Sequence, residues 1–486
     1  MLSSPLPPDA AYAALQAHDA RFDGRLYVGV TSTGIYCRPV CRVRLPRREN
    51  CRFFSTAAQA EAERFRPCMK CRPELAPRAL PWTTMDASRT LAQQAAAWLD
   101  SCDDAEASVE DLARHLGITS RHLRRIFQAE HGVSPLQYLQ TRRLLLAKAL
   151  LTDSTLPVQE VAYAAGFASL RRFNAAFVEH YRLQPTAFRR VGKEGGGTAP
   201  MSRLRLSYRE PYDVAGVLAF LAPRAIAGVE KVEDGAVTRS LALMHAGQRH
   251  AGWLRVCFER AGEVAVELSP TLWPAVGSLL PLLRRWLDLD AEPEAIAAAL
   301  GEGGVPGQRL PGCVDRFELT VRAVLGQQVT VAAARTLAGR FVERFGEPLA
   351  ESDLAPEGCQ RLFPTPERIA AVTRDDIASL GIISRRADSL IALAQAWPTL
   401  AFARREGTPE AAAEALTQIP GIGPWTAGYM LMRGWSWPDA FPPGDVVLRK
   451  ALSAGGAPVS PKAYLEAAER YRPYRSYAVL HLWRHA

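Results

Sequence analysis

Two cysteine pairs constrain this chain more than any other feature. Cys37 and Cys41 stand three residues apart in "GIYCRPVC", and Cys68 and Cys71 two apart in "RPCMKC", with 26 residues between the pairs. The start, "MLSSPLPPDAAYAALQAHDA", lacks a cationic segment followed by an apolar core, and no apolar run is long enough to span a bilayer. The expected setting is therefore soluble and cytoplasmic, where tight cysteine pairs hold metal more often than they form disulfides. Four thiolates at these spacings suit a tetrahedral zinc ion. Spacing alone favours a plain zinc knot holding a small domain together. Cys51 is a fifth thiol nearby, whereas Cys102, Cys257, Cys313 and Cys359 are isolated and read as core residues.

Charge gathers on the same region. Arg38, Arg42, Arg44, Arg47 and Arg48 surround the first pair, and residues 1–195 carry 27 Lys+Arg against 19 Asp+Glu, compared with 32 against 31 in the rest. A basic N-terminal half points to an anionic partner such as nucleic acid. At 486 residues the chain is too long for one core and should divide into three or four domains.

The segments "SVEDLARHLGITSRHLRRIFQAEHG" and "PVQEVAYAAGFASLRRFNAAFVEHY" each read as an amphipathic helix, a glycine-containing turn and a second helix. Arg121, Arg124, Arg125, Arg171 and Arg172 fall on the second helices. There they suit phosphates and guanine edges, or form a solvated face. The stretch "VGKEGGGTAPMSR" reads as a flexible tether over 191–202. Beyond it, short apolar runs among turn residues predict a mixed α/β domain over 203–314, and the pattern over 315–486 is helical. In "IPGIGPWTAGYMLMRGW", Gly421 and Gly423 sit in a turn between two helices, where backbone amides can face a phosphate. Further on, "FPPGD" places Asp445 directly before a helix, the position of an N-cap.

The stretch "TSTGIYCRPVCRVRLPRRENCRFF" with "FRPCMKCRPE" closely resembles the N-terminal domain of the Ada family of bacterial methylation-damage sensors. The resemblance implies a zinc-binding domain over 1–80, with Cys37, Cys41, Cys68 and Cys71 on one Zn2+ and Cys37 irreversibly accepting a methyl group from a DNA methylphosphotriester. Zinc would hold Cys37 as the nucleophilic thiolate. Four thiolates on a divalent ion sum to 2 minus 4, or −2, and methylation removes one negative charge, so DNA binding should strengthen after transfer. Arg42, Arg44 and Arg47 would hold the phosphate backbone near Cys37. Residues 85–190 resemble the AraC-type tandem helix-turn-helix domain that follows the zinc domain in that family.

Residues 203–486, through "PYDVAGVLAFLAPRAIAGVE", "VRAVLGQQVT", "IPGIGPWTAGYMLMRGW", "FPPGD" and "PYRSYAVLHLW", resemble the AlkA family of 3-methyladenine DNA glycosylases. By that resemblance Asp445 is the catalytic carboxylate, and Trp425, Tyr429, Trp483 and Phe220 line the base pocket. Trp425 stands where strand-cutting relatives carry a Schiff-base lysine, implying a monofunctional glycosylase. No cysteine lies beyond Cys359, excluding the iron-sulfur cluster of some relatives, so no cofactor is expected there. Gln328 replaces the apolar side chain that fills the gap left by a flipped base, and Val446 replaces an aromatic. No Pro-Cys-His-Arg segment of the Ada methyltransferase occurs.

The expected fold is multidomain α+β: a small zinc-bound α/β domain, an all-α tandem helix-turn-helix domain, then a mixed α/β domain followed by an all-α helix-hairpin-helix domain. The expected function is a fused alkylation sensor, transcription activator and glycosylase. The alternatives are a regulator whose glycosylase half only binds DNA, and a glycosylase whose zinc is only structural. The expected partners are double-stranded DNA, both alkylated and promoter, and RNA polymerase, with no membrane. A nucleoid-associated monomer is expected.

Overall fold

The computed structural model describes residues 6–77, 87–101, 108–193, 203–350, 355–404, 408–453 and 459–484. Most of the tether and Cys102 lie outside them; residues 191–193, assigned to the tether by sequence, instead complete the helix Pro185–Lys193. The chain is multidomain α+β, and it forms two compact units. The first comprises residues 1–210, 243–250 and 259–281; the second comprises 211–242, 251–258 and 282–486. No helix among the described residues is long and apolar enough to cross a membrane.

The first unit opens with a four-stranded sheet in the order Cys51–Phe54, Tyr27–Val30, Ile35–Cys37, Arg66–Pro67. The hairpin turns at Gly34, whose φ of 66° favours glycine. The strand Ile35–Cys37 pairs in parallel with Arg66–Pro67, matching Tyr36 to Pro67, and the Cys68 N–H donates to the Tyr36 carbonyl at 3.0 Å. Both cysteine pairs thus begin at the same end of neighbouring strands.

Two helix pairs follow, Val109–His115 with Ser120–His131 and Val158–Ala164 with Leu170–Tyr181, joined through the long helix Pro135–Asp153. Thr119 and Ser169 cap the two second helices, each accepting from a backbone N–H three residues on, His122 and Arg172. Phe127 and Phe177 are fully buried at matching positions, each worth about 1.5–3 kcal/mol of apolar burial. Arg72 and Lys148 bridge the buried Glu74, and Arg72 also grips Asp153, tying the residue after Cys71 to the long helix. Burial would raise the Glu74 carboxyl, but Lys148 and Arg72 hold it below its ordinary value.

In the second unit, Glu230–Glu233 pairs antiparallel with the start of Ala236–His245, and helices carry the rest. Arg239, 3% exposed, reaches Glu230 at 3.0 Å and Glu318 at 2.6 Å, and Glu318 also meets Arg322. Arg239→Ala strands two buried carboxylates, so chemical denaturation should report a loss of about 3–5 kcal/mol in this unit. A loss under about 1 kcal/mol would contradict that account.

Asp288 is buried, accepting from the Leu310 N–H and the Tyr477 hydroxyl, both at 2.8 Å. Burial pushes its carboxyl up to about 7, with Arg309 and these hydrogen bonds only partly opposing. The folded state therefore binds this proton more tightly than the unfolded chain. Its stabilisation is complete below about pH 4 and lost as pH rises through about 7. Thermal unfolding of Asp288→Asn should show a shallower decline between pH 5 and 8 than wild type; equal slopes would refute this.

Candidate metal centre and aromatic pocket

The Sγ atoms of Cys37, Cys41, Cys68 and Cys71 all lie within 4.8 Å of one another. Tetrahedral zinc with bonds of about 2.3 Å needs sulfurs about 3.8 Å apart, so the residues fit that ion. The Arg38 and Lys70 backbone N–H groups donate to Cys71 and Cys68 sulfur, each at 3.4 Å, which favours thiolates. Packed this closely without a cation, four thiolates would repel one another, and a divalent ion removes that penalty. Cys51 is buried apart from the group and donates to the Arg47 carbonyl at 3.3 Å.

The arginines divide by task. Arg42, Arg44 and Arg47 are exposed on the loop after Cys41, Arg47 lying a loose 3.8 Å from Glu49. Arg38 does not join them. It is buried in a salt bridge with Asp23 and also donates to the Cys71 carbonyl, so its charge is spent inside the fold. Arg48 pairs with Asp9 and lies over the Phe53 ring at 5.2 Å. The expectation that all five would face a phosphate is corrected for these two, because each has an acidic partner. Arg121, Arg124, Arg125, Arg171 and Arg172 are exposed on the two second helices, with Arg124 paired to Glu110 at 2.8 Å.

In the second unit the helices Pro409–Thr417 and Pro424–Gly434 form a hairpin through Gly421, whose φ is 85°. A Cβ at Gly421 would come within 2.0 Å of Ser389 Oγ, so the turn tolerates no side chain there. Gly423 opens the second helix without a side-chain cap and faces open space, leaving its first amides available to an anion. Gln327 donates to the Gly421 carbonyl at 2.9 Å and fixes the neighbouring loop, on which Gln328 is exposed at φ 55°.

Asp445 caps the helix Val446–Ala451 and is 5% exposed. Oδ1 accepts from the Leu448 N–H at 2.8 Å and Oδ2 from Trp425 Nε1 at 2.8 Å. The N-cap reading thus holds, and it leaves each oxygen a second lone pair. Trp425 stacks on Tyr429 at 5.6 Å with planes 4° apart, and Trp483 lies 6.3 Å from Tyr429. Burial opposes ionisation of Tyr429, but Arg433 and Arg224 hold its hydroxyl below its ordinary value. Phe220 differs from the other three rings: the Arg224 and Arg433 guanidinium groups lie 3.9 and 4.8 Å from its centre. Arg433 was missed from sequence, although it follows Trp425 by eight residues and Tyr429 by four, a shared helix face. Val446 is exposed beside the acid.

The chain is 38% identical over 500 residues to the probable bifunctional transcriptional activator/DNA repair enzyme AlkA of Mycobacterium tuberculosis, covering 98% of this chain and 96% of that relative. The chain belongs to that family. Family models match in order: metal binding domain of Ada over 10–74, helix-turn-helix domain over 112–191, AlkA N-terminal domain over 203–315, and HhH-GPD superfamily base excision DNA repair protein over 321–470. In Escherichia coli, DNA-3-methyladenine glycosylase 2 is 39% identical over 282 residues, 57% of this chain and 95% of that one. The bifunctional transcriptional activator/DNA repair enzyme Ada of the same organism is 35% identical over 141 residues, 28% of this chain but only 37% of that one. The fusion read from motifs is therefore the organisation of the family.

Proposed function

We propose that this chain is an alkylation-damage response protein that both senses and repairs. Its N-terminal half accepts a methyl group from a DNA methylphosphotriester on Cys37 and regulates transcription; its C-terminal half hydrolyses the N-glycosidic bond of bases of the 3-methyladenine and 7-methylguanine type. The observation that carries the enzymatic reading is Asp445, held by a backbone amide and an indole beside stacked aromatic rings.

Excision breaks the C1′–N bond, with the bonding pair leaving on the base while positive charge grows on the sugar. A fixed carboxylate stabilises that charge and can orient the attacking water. An alkylated cationic base leaves as a neutral molecule, so no acid is needed on the leaving side. The faces of Trp425, Tyr429 and Trp483 suit such a base once it is flipped from the duplex. Phe220 gives its ring to protein cations and acts at the pocket's edge. Exposed Gln328 would fill the gap in the stack, and Gly421 and Gly423 would seat a phosphate.

At the metal centre, bound zinc supplies the charge that keeps the sulfurs as thiolates. Arg42, Arg44 and Arg47 would hold the backbone. The five helix-turn-helix arginines would grip promoter DNA, with RNA polymerase as the further partner of a monomeric, nucleoid-associated activator. Incubation with methylated DNA tests both halves: free methylated bases and a methyl adduct on Cys37 are expected. Adduct without base release would favour a regulator whose second half only binds DNA. Base release without adduct would leave the zinc site structural.

A further inference from the structure

Beside the cysteine centre lies a feature that phosphate binding does not require. The side chains of Leu15, Val28, Val30, Val43, Leu45 and Pro46 form an apolar cup against Cys37 and Cys41, with about 10 Å³ of free volume, room for one water-sized group. Its floor is rigid, since Leu15 and Val28 are buried in the core of the small domain. Its rim is the loop "RVRLPR", where Val43 and Leu45 alternate with Arg42 and Arg44. Three carbonyls anchor that rim: Arg42 accepts from Lys70 Nζ at 3.1 Å, Pro46 from the Tyr12 hydroxyl at 3.0 Å and Arg47 from Cys51 at 3.3 Å.

Val43 and Leu45 remain 37% and 41% exposed, between arginines that are also exposed. A loop that only bound phosphate would gain nothing from aliphatic side chains there. A phosphotriester differs from its neighbours in two ways: it has lost its charge, and it carries a small apolar group. We infer that the cup is an alkyl-size filter that seats the ester carbon against Cys37 Sγ, admitting methyl and disfavouring ethyl or larger groups. The inference rests on the reading of Cys37 as acceptor.

In the step itself a sulfur lone pair forms the S–C bond. The ester C–O bond breaks with its pair going to the oxygen, which becomes an ordinary phosphodiester anion, and no proton moves. The cup surrounds the carbon while the arginines face the oxygen that regains charge. An extra methylene in a fitted apolar pocket is disfavoured by about 10–200-fold.

The test uses full-length, zinc-loaded protein with duplexes bearing one methyl or one ethyl phosphotriester, reading adducts on Cys37 by peptide mass. In Val43→Ala and Leu45→Ala the methyl-to-ethyl rate ratio should fall about tenfold or more from that of wild type. Val43→Phe, checked for retained zinc, should slow methyl transfer at least tenfold. A readout apart from rate is the nuclear Overhauser effect from the S-methyl group to the Val43 and Leu45 methyls in the alkylated protein. An unchanged ratio in both alanine variants, or absence of those Overhauser effects, overturns the filter while leaving the acceptor. A wild type with no adduct from either duplex removes the acceptor and the filter with it.

Discussion

Asp445→Asn is expected to slow base release from methylated DNA by about 10²–10⁴-fold, about 3–5 kcal/mol of transition-state stabilisation, with little change in folding. Asparagine is as good an N-cap as aspartate, so the Leu448 amide keeps its partner. What disappears is the charge opposite the sugar. The substitution also turns an amide NH2 towards Trp425 Nε1, which now donates to Oδ2, so the indole bond is lost as well. Trp425→Phe separates the two effects: it keeps the carboxylate and removes only the indole donor, and should cost about tenfold or less if charge dominates. Single-turnover release of 3-methyladenine and 7-methylguanine measures both. Wild-type rates in Asp445→Asn would show that the carboxylate is no more than a helix cap.

The sequence carried local geometry well and burial poorly. The cysteine spacing, the doubled helix-turn-helix and the acid ahead of a helix are short-range patterns, and each is legible because a few adjacent residues determine it. Arg38 shows where this ends. It neighbours Cys37 and looks like one more surface cation, yet Asp23, fifteen residues earlier, draws it inside. Lys148 is likewise 1% exposed because Glu74 waits on the other side of the fold, a pairing that no helical periodicity announces. Charged residues are so seldom buried that sequence reasoning assigns them to solvent by default. The catalytic face was half legible for the same reason: Trp425, Tyr429 and Arg433 share a helix face, but the cation contacts on Phe220 depend on chain that arrives from over two hundred residues earlier.

Cys37→Ser is expected to abolish methyl acceptance and, at the same time, to strengthen DNA binding by the unmethylated protein. The first effect follows from the nucleophile, since a serine hydroxyl is far less ionised than a zinc-bound thiol and attacks carbon poorly. The second follows from charge arithmetic. Zinc with four thiolates sums to 2 minus 4, or −2; with three thiolates and a neutral hydroxyl it sums to 2 minus 3, or −1, the same as the methylated wild type. At about 7 Å from a phosphate one unit of charge is worth about 0.6 kcal/mol in bulk water and about twice that at half the dielectric constant. The variant should therefore bind about 3- to 10-fold more tightly at low ionic strength, and the advantage should shrink as salt shortens the screening length. Fluorescence anisotropy with an unmodified duplex across a salt series measures it, with zinc content determined in parallel. Base excision should proceed at the wild-type rate, because Asp445 and its aromatic neighbours belong to the other compact unit. A zinc-loaded Cys37→Ser protein that binds no more tightly than the unmethylated wild type at low salt would rule out charge as the signal and leave a change of shape in its place.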